Sequence, residues 1–237
     1  MKAVIFDLDG VLVDSEPFHA ETLLSLAGEL EIPLSLEDTR RFIGVSDEEM
    51  WSILIHEHRL GGDLSAKVLA ERQAQRSLDR LSVKPLSPRD GVPELLTELR
   101  SLGVATGVAS SSATAYVDRV LSTAGLSLYF NVRVAGDQVQ NCKPDPEPYR
   151  TALERMGIPA GWAAAIEDSP PGIESAKRAG LFCFALKTSG SQAEGVLKPD
   201  VVIKDFSQRE RSRILYLLDS ERVPDGIFQR RVKAHKS

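Results

Sequence analysis

The chain contains one stretch that decides its fold, Ala3-Val4-Ile5-Phe6-Asp7-Leu8-Asp9-Gly10. The residues before Asp7 are apolar and partly β-branched, and such an unbroken run is typical of a strand buried on both faces of a parallel sheet. The run ends at Asp7, and Asp9 follows shortly after it in a loop. The stretch therefore predicts a buried strand with two carboxylates at its carboxyl end.

The same pattern returns further along the chain, where short apolar runs alternate with stripes of helical spacing. Apolar residues recur at helical spacing from Val92 to Leu99, for example, and a strand-length run follows them. Strand and helix in turn, with short connections, predict an α/β fold, a doubly wound, Rossmann-like parallel sheet covered by helices. The later strands are predicted at residues 104–109, 132–134, 162–166, 182–186 and 201–203.

The segment between the first strand and the rest of the sheet has a different pattern, because it is helical throughout. Pro17 opens a helix, where its missing N–H costs nothing. Apolar residues such as Trp51 and Leu54 then recur among charges without a clear strand, up to a turn-rich linker at 84–91. We therefore predict a discontinuous α/β core formed by residues 1–15 and 83–237, with an all-helical cap domain inserted at residues 16–82.

Composition and charge limit the class of protein and the partners that the chain can have. The 237 residues are 42% hydrophobic and 27% charged, as in ordinary globular proteins. The net charge of −5 offers no basic field for nucleic acid, and no apolar run approaches the roughly 18 residues of a membrane span. The two cysteines, Cys142 and Cys183, match neither a disulfide scaffold nor a zinc motif. We expect a cytoplasmic protein without nucleic-acid or membrane partners, present as a monomer or a weak dimer.

Polar residues follow several of the predicted strands, at the edge where α/β sheets bind their ligands. Carboxylates that lie side by side there repel one another, and a single lysine is too little to balance them. An all-oxygen set of donors suits Mg²⁺ better than zinc, so we predict a bound magnesium ion. The polar residues at these strand ends include Asp7, Asp9, Ser110, Ser111, Lys143, Glu167 and Asp168.

Carboxylates gathered around a divalent cation point to phosphoryl chemistry. Asp7, placed rigidly after the strand, would attack phosphorus as a nucleophile and form an aspartyl phosphate. Asp9 would protonate the leaving oxygen and then activate water. Lys143, Mg²⁺ and Ser110 would offset the negative charge of the transferred phosphoryl group.

The residues match four motifs, in order, and through them the chain resembles the haloacid dehalogenase superfamily over nearly its whole length. In that family the first aspartate of the first motif is the nucleophile and the second is the general acid/base, which agrees with the roles above. The matching segments are Asp7-Leu8-Asp9-Gly10-Val11-Leu12-Val13-Asp14-Ser15, then Ser110, then Lys143-Pro144-Asp145-Pro146, then Ile166-Glu167-Asp168-Ser169-Pro170-Pro171-Gly172-Ile173.

The resemblance also implies a ligand set and a subgroup. Mg²⁺ would take the carboxylate of Asp7, the backbone carbonyl of Asp9 and the carboxylate of Asp168, with Glu167 as a further ligand or a group just behind the ligands. A helical cap would close over the substrate. The branch resembled is that of the β-phosphoglucomutase-like proteins and sugar-phosphate phosphatases, where a cap histidine matched by His19 lies near the active site. Ser110, Ser111 and Lys143 are the residues expected to bind phosphate.

Asp47 departs from the mutase pattern of this branch. Mutases carry a cap arginine at its position, which grips the second phosphate of a bisphosphate, and an acid there would repel that phosphate. Arg72 or Arg76 would be the alternative source of positive charge from the cap. We therefore favour a phosphatase acting on a small phosphorylated metabolite, a sugar phosphate or a related acid, over a phosphosugar mutase.

Two further alternatives fit the sequence less well. A 2-haloacid dehalogenase has no use for Asp9 as a proton shuttle. A non-enzymatic phospho-acceptor domain also combines Mg²⁺, aspartates and a lysine on a doubly wound sheet, but it would be shorter and would lack the inserted cap.

Overall fold

The structure is a computed structural model that describes residues 1–42, 45–61, 64–188 and 197–219. Within these ranges six strands form one sheet, and all neighbouring strands are parallel. The strands are β1 (Ala3–Phe6), β2 (Ala105–Ala109), β3 (Val132–Val134), β4 (Ala163–Glu167), β5 (Phe182–Leu186) and β6 (Val201–Ile203). Their order across the sheet is β3-β2-β1-β4-β5-β6. The predicted fold class, a doubly wound parallel sheet, is confirmed.

β1 lies inside the sheet because its side chains are apolar on both faces. Ala3 and Ile5 pack into the apolar cluster on one face, and Val4 and Phe6 pack into the cluster on the other. All of them are fully buried. β1 pairs with β2 on one side and with β4 on the other, and its last residue lies opposite Ile166. This register brings the carboxyl ends of β1 and β4 side by side.

One predicted strand is shifted in the structure. Trp162 does not belong to β4 but to a short 3₁₀ turn, Ala160–Trp162, with its residue surface 47% exposed. β4 begins at Ala163 because pairing with β1 begins there, and it continues to Glu167 because pairing with β5 extends that far. Glu167 is therefore the last residue of a buried strand rather than the first residue of a loop.

Helices cover both faces of the sheet. The Val4 face is packed by the helices Val92–Ser101, Thr114–Thr123 and Gln208–Leu218, and the Ala3 face is packed by the helices Glu147–Met156 and Pro170–Arg178. Among the described helices, none combines the length and the apolar composition that a membrane crossing needs. The α-helices in the described ranges are α1 (Glu16–Glu29), α2 (Leu36–Thr39), α3 (Asp47–His58), α4 (Ala66–Val83), α5 (Val92–Ser101), α6 (Thr114–Thr123), α7 (Glu147–Met156), α8 (Pro170–Arg178) and α9 (Gln208–Leu218).

The helices α1 to α4, called here the helical segment, pack around an apolar cluster of their own. Leu26, Trp51 and Leu69 belong to this cluster, whereas Phe18 and Leu81 join the cluster of the sheet. The segment is helical as predicted in its described part. Its status as a separate cap domain with bounds at 16 and 82 stays a prediction. Of the predicted core, residues 189–196 and 220–237 lie outside the described residues.

The order of the strands places a switch point, where a crevice is expected, at one edge of the sheet. From β1 the chain passes to β2 and β3 on one side, and it then returns to β4 on the other side of β1. Loops diverge at such a switch point and leave space for a ligand beyond the carboxyl ends of the strands. Asp7 follows β1, Ser110 follows β2 and Glu167 ends β4, so all of them lie at this crevice.

Candidate active site

A buried lysine joins the carboxylates at the ends of β1 and β4. The Nζ atom of Lys143 donates to Oδ1 of Asp7 at 2.5 Å and to Oε1 of Glu167 at 2.6 Å. The side chains of Lys143 and Glu167 are 6% and 0% exposed. Separating a buried ion pair leaves an unpaired charge in the interior, so these groups hold one another in place.

Further hydrogen bonds surround Glu167. Its Oε1 also accepts from the hydroxyl of Tyr149 at 2.8 Å. Its Oε2 accepts from the N–H of Asp168 at 3.1 Å and from the hydroxyl of Ser169 at 3.3 Å. Both oxygens are therefore bonded to protein groups, which favours Glu167 as a residue that positions Lys143 over a role as a direct metal ligand.

Two glycines let the backbone approach these carboxylates closely. A Cβ on Gly172 would lie 2.0 Å from Cδ of Glu167, and a Cβ on Gly10 would lie 2.0 Å from Oδ2 of Asp168. Gly10 also has a φ of +81°, in the left-handed region that glycine adopts without strain. At both positions an acidic group occupies the space that a side chain would need.

The carboxylates of Asp7, Glu167 and Asp168 form an acidic cluster. One oxygen of each lies within 4.8 Å of the others. Lys143 alone leaves an excess of negative charge among them, and a set of oxygen donors fits a hard divalent cation. The donor chemistry and the spacing of the described residues thus fit a divalent metal ion.

Burial disfavours ionisation of these carboxyl groups. It raises the pKa of Asp7, against the charge of Lys143, which lowers it. Burial, followed by the charge of Glu167, raises the pKa of Asp168 to about 7. Burial lowers the pKa of Lys143, but Asp7 and Glu167 raise it by more, so the lysine stays protonated. A cation among the carboxyl groups would favour their ionised forms.

Asp9 belongs to a second set of hydrogen bonds. Its Oδ2 accepts from the hydroxyl of Ser112 at 2.8 Å, and its Oδ1 accepts from the hydroxyl of Tyr116 at 3.2 Å. Nε2 of His19, on α1, lies 3.4 Å from the same Oδ1 and 3.2 Å from the Tyr116 hydroxyl. Asp9 is therefore a point of contact between the edge of the sheet and the helical segment.

Asp9 and His19 shift each other's pKa. Burial would raise the pKa of Asp9, but the hydrogen bond and charge of His19, with hydrogen bonds from Ser15 and Ser112, lower it to about 2. Burial lowers the pKa of His19, but the hydrogen bond and charge of Asp9 raise it by more. An ionised carboxylate beside a protonated imidazole is a pair that can both donate and accept a proton.

The two serines predicted to bind phosphate differ in their surroundings. Ser110 is 1% exposed, and its hydroxyl accepts from the N–H of Ser112 at 3.0 Å. Ser111 is exposed. The neighbour that bonds to Asp9 is Ser112 rather than Ser111. A phosphate-binding role for Ser110, Ser111 or Lys143 stays a prediction.

Sequence reasoning missed two tyrosines of the site. Tyr116 and Tyr149 lie in the apolar stripes of α6 and α7, and the sequence pattern assigns them to packing. Both are buried, at 7% and 0% exposure. A buried tyrosine needs a partner for its hydroxyl, and that requirement was the available signal. This requirement does not identify the partner, because Asp9 and Glu167 approach these tyrosines only in the folded chain.

A family model spans the site just described. Residues 4–186 match the model of the haloacid dehalogenase-like hydrolases. The chain belongs to the haloacid dehalogenase-like hydrolase family. The resemblance seen in the four motifs is thereby confirmed, and with it the expectation of an enzyme of the hydrolase class. The matched range contains the acidic cluster, Lys143, both predicted serines and the Asp9–His19 pair.

Known members of the family resemble the chain over most of its length. It is 33% identical over 207 residues to the Validoxylamine A 7'-phosphate phosphatase of Streptomyces hygroscopicus subsp. limoneus, covering 87% of this chain and 95% of that protein. It is 32% identical over 215 residues to the β-phosphoglucomutase of Bacillus subtilis, covering 87% and 91%. The structure of CbbY from Rhodobacter sphaeroides in complex with phosphate has a TM-score of 0.77 at 24% identity, covering 88% and 96%, and shows the shared fold.

Proposed function

We propose that the chain is a Mg²⁺-dependent phosphatase that hydrolyses a small phosphorylated metabolite, a sugar phosphate or a related acid. The observation that carries this proposal is the position of Asp7. Its carboxylate lies at the carboxyl end of β1, bonded to Lys143 and within 4.8 Å of two more carboxylates. A nucleophile that attacks a phosphate ester needs cations close to it, because both reactants are anionic.

The first step would form an aspartyl phosphate. A carboxylate oxygen of Asp7 bonds to phosphorus as the bond from phosphorus to the ester oxygen breaks. Asp9, as the general acid, gives its proton to the leaving oxygen. Lys143 and the hydroxyl of Ser110 would bind the phosphoryl oxygens, with Ser111 beside them. The carboxylates of Asp7 and Asp168 and the backbone carbonyl of Asp9 would hold Mg²⁺, which would supply positive charge against the transferred group.

The second step would release phosphate. Water attacks phosphorus and gives its proton to Asp9, and the bond from phosphorus to the Asp7 oxygen breaks. Glu167 would hold Lys143 in place, since both of its oxygens are already bonded. His19 would hold Asp9 through the contact of 3.4 Å.

A phosphosugar mutase is the second candidate, and the similarity to the β-phosphoglucomutase of Bacillus subtilis supports it. We favour hydrolysis because Asp47 would repel the second phosphate of a bisphosphate intermediate. Arg76, one of the two arginines considered as a compensating charge, is bonded to Glu29 at 2.7 Å and to Ser25 at 3.0 Å. Its charge is therefore already paired.

We further propose that the protein acts in the cytoplasm as a monomer or a weak dimer. The two cysteines support a reducing compartment, since Cys142 and Cys183 are both free thiols.

The test is a phosphate-release screen over a panel of phosphorylated metabolites, with Mg²⁺ and with chelator. The proposal expects release from at least one sugar phosphate only when Mg²⁺ is present, and no need for a bisphosphate activator. Isomerisation without free phosphate would favour the mutase, and release at the same rate in chelator would contradict the metal. As a readout independent of turnover, Mg²⁺ should raise the melting temperature of the wild type more than that of Asp168→Asn.

A further inference from the structure

A buried tyrosine of α7 donates to the carboxylate that holds Lys143. The hydroxyl of Tyr149 lies 2.8 Å from Oε1 of Glu167, and Nζ of Lys143 lies 2.6 Å from the same oxygen. Tyr149 is 0% exposed, as is Glu167. One carboxylate oxygen, shielded from water, therefore accepts from a neutral hydroxyl and from an ammonium group at the same time.

The ring of Tyr149 also lies beside Lys143. Nζ of Lys143 lies over the ring, 5.2 Å from its centroid. The face of an aromatic ring carries negative charge density and attracts a cation placed over it. Tyr149 thus contacts both members of the ion pair, Lys143 through its ring and Glu167 through its hydroxyl.

Tyr149 and Lys143 are held in a fixed relation by the start of α7. The carboxylate of Glu147, the first residue of this helix, accepts from the N–H of Gln140 and from the N–H of Asn141, each at 2.9 Å. These bonds tie the loop that carries Lys143 to the helix that carries Tyr149. The contact between Tyr149 and Lys143 is therefore set within one small, bonded unit rather than by the packing of distant elements.

Packing alone does not account for the hydroxyl of Tyr149. Tyr149 belongs to the apolar cluster on the Ala3 face of the sheet, together with Ala152 of the same helix. A phenylalanine would fill the same space there without the cost of burying a polar group. A buried hydroxyl needs a partner to offset that cost, and here the partner is Glu167. The hydroxyl therefore acts on the carboxylate and not on the cluster.

We propose that Tyr149 is a positioning residue for Lys143, which directs the ammonium group towards Asp7 and towards the phosphoryl group that Asp7 would receive. The inference rests on the proposed phosphatase function. The hydroxyl offsets part of the negative charge on Oε1 of Glu167, so this oxygen attracts Lys143 less strongly than it would alone. Lys143 also donates to Oδ1 of Asp7 at 2.5 Å. The less Glu167 draws on the ammonium group, the more of its charge faces the reacting groups.

The experiment compares the wild type with Tyr149→Phe, which removes the hydroxyl and keeps the ring, and with the matched control Tyr129→Phe. Tyr129 has the same two kinds of contact away from the candidate site. Its hydroxyl lies 3.0 Å from Oγ1 of Thr97, and the guanidinium of Arg100 lies 5.0 Å from the centroid of its ring. Initial rates are measured with Mg²⁺ on the best ester of the phosphate-release screen, and melting temperatures are measured as a check of folding.

Tyr149→Phe should lower kcat by about tenfold, the size of one hydrogen bond to a charged group, and should change KM by less than about twofold. The effect should lie in kcat because Lys143 is needed most when negative charge develops on the transferred group. Tyr129→Phe should leave both constants unchanged. The proposal is overturned if Tyr149→Phe keeps the wild-type kcat, or if its loss of activity lies entirely in KM.

A measurement on Lys143 itself separates this inference from the proposed function. The ammonium resonance of Lys143 is recorded by NMR on protein labelled with ¹⁵N-lysine, and it is assigned by its loss in Lys143→Arg. Because Tyr149→Phe keeps the ring, a shift of this resonance reports altered hydrogen bonds of the ammonium group. The proposal expects a shift in Tyr149→Phe and none in Tyr129→Phe, and an unchanged resonance in Tyr149→Phe contradicts it. If the wild type releases phosphate from no ester, the phosphatase proposal fails, but the resonance still decides whether Tyr149 directs Lys143.

Discussion

Asp7 and Asp9 lie in the same short loop, yet they belong to two different parts of the molecule. The carboxylate of Asp7 is bonded at the edge of the sheet to Lys143, which also holds Glu167 of β4. Asp9 is bonded to Ser112 and Tyr116 near α6 and to His19 of α1. The nucleophile candidate is thus fixed by the sheet, and the acid/base candidate depends on where the helical segment packs.

The side chains around Asp7 are also less exposed to solvent than those around Asp9. The side chains of Asp7 and Lys143 are 11% and 6% exposed, whereas those of Asp9 and His19 are 26% and 42% exposed. Charges are more strongly coupled where water is excluded. The Asp7 centre is formed by Asp7, Lys143 and Glu167, and the Asp9 centre by Asp9, His19, Ser112 and Tyr116. Changes at the Asp7 centre should therefore have large effects on activity and stability, and changes at the Asp9 centre should have smaller ones.

The largest effect is expected for Asp7→Asn. It keeps the shape of the side chain but removes the nucleophile, so phosphate release should fall by about 10⁴-fold or more. The measurement is the initial rate on the best ester of the screen, with the melting temperature as a check of folding. Asp90→Asn, at an exposed aspartate outside both centres, should retain the wild-type rate. Wild-type turnover in Asp7→Asn would break the assignment of the nucleophile.

Lys143→Met tests whether the Asp7 centre is a buried ion-pair network. Removing the lysine leaves Asp7 and Glu167 without their partner, so the free energy of unfolding should fall by about 3–5 kcal/mol in urea titrations. The exposed pair of Arg40 and Glu37 is the comparison, with side chains 68% and 78% exposed. Arg40→Ala should cost less than about 1 kcal/mol. Equal losses in the two variants would contradict the distinction.

Gly172→Ala tests the close approach of α8 to Glu167. The new Cβ would lie 2.0 Å from Cδ of Glu167. The helix or the carboxylate must then move, and the unfolding free energy should fall by about 2 kcal/mol. Gly28→Ala is the matched control, because Gly28 lies in α1 with nothing within 4 Å of its Cβ position. It should be slightly stabilising, and a Gly172→Ala variant that behaves the same way would count against the packing described.

The sequence predicts the residues of the Asp7 centre better than those of the Asp9 centre. Asp7, Glu167 and Asp168 are recognisable because apolar strands end at them, and parallel strand ends meet at one edge. Lys143 is expected nearby for the same reason. β4 begins and ends one residue later than predicted, because Trp162 has the pattern of a strand residue but lies in a turn.

The Asp9 centre is harder to predict from the sequence, because the residues that contact Asp9 lie on helices whose packing the sequence pattern does not specify. Tyr116 lies in an apolar stripe and His19 on a helix of the inserted segment, and periodicity does not say that the two meet at Asp9. The bond from Gln73 to Asp47 joins residues of α4 and α3. It depends on how those helices pack, so Asp47 could be noticed in the sequence but its support could not.

The smallest effect is expected for His19→Gln, and it should depend on pH. The pKa of Asp9 is lowered from 3.8 to about 2, so its contribution to stability is present above 3.8 and lost as pH falls towards 2. The pKa of His19 is raised above 6.5, so its contribution is present below 6.5 and lost as pH rises through the raised value. The stability difference between wild type and variant should be largest near pH 5, at about 1 kcal/mol after solvent screening.

The measurement is urea unfolding of both proteins at acidic, intermediate and alkaline pH. His56→Gln, at an exposed histidine of α3, is the control and should show no such maximum. A difference between wild type and His19→Gln that is the same at every pH would mean that the ion pair with Asp9 is not formed.

The most direct test of the account is to locate the phosphoryl group during turnover. Asp9→Asn should slow release of phosphate by roughly 10²–10⁴-fold, because water loses its proton acceptor. This variant is mixed with Mg²⁺ and the best ester, quenched in acid and examined by peptide mass spectrometry. The account predicts a phosphoryl group on the peptide that contains Asp7, present with Mg²⁺ and missing in chelator. Steady turnover with no phosphoryl group on Asp7, or with the group on another residue, would contradict it.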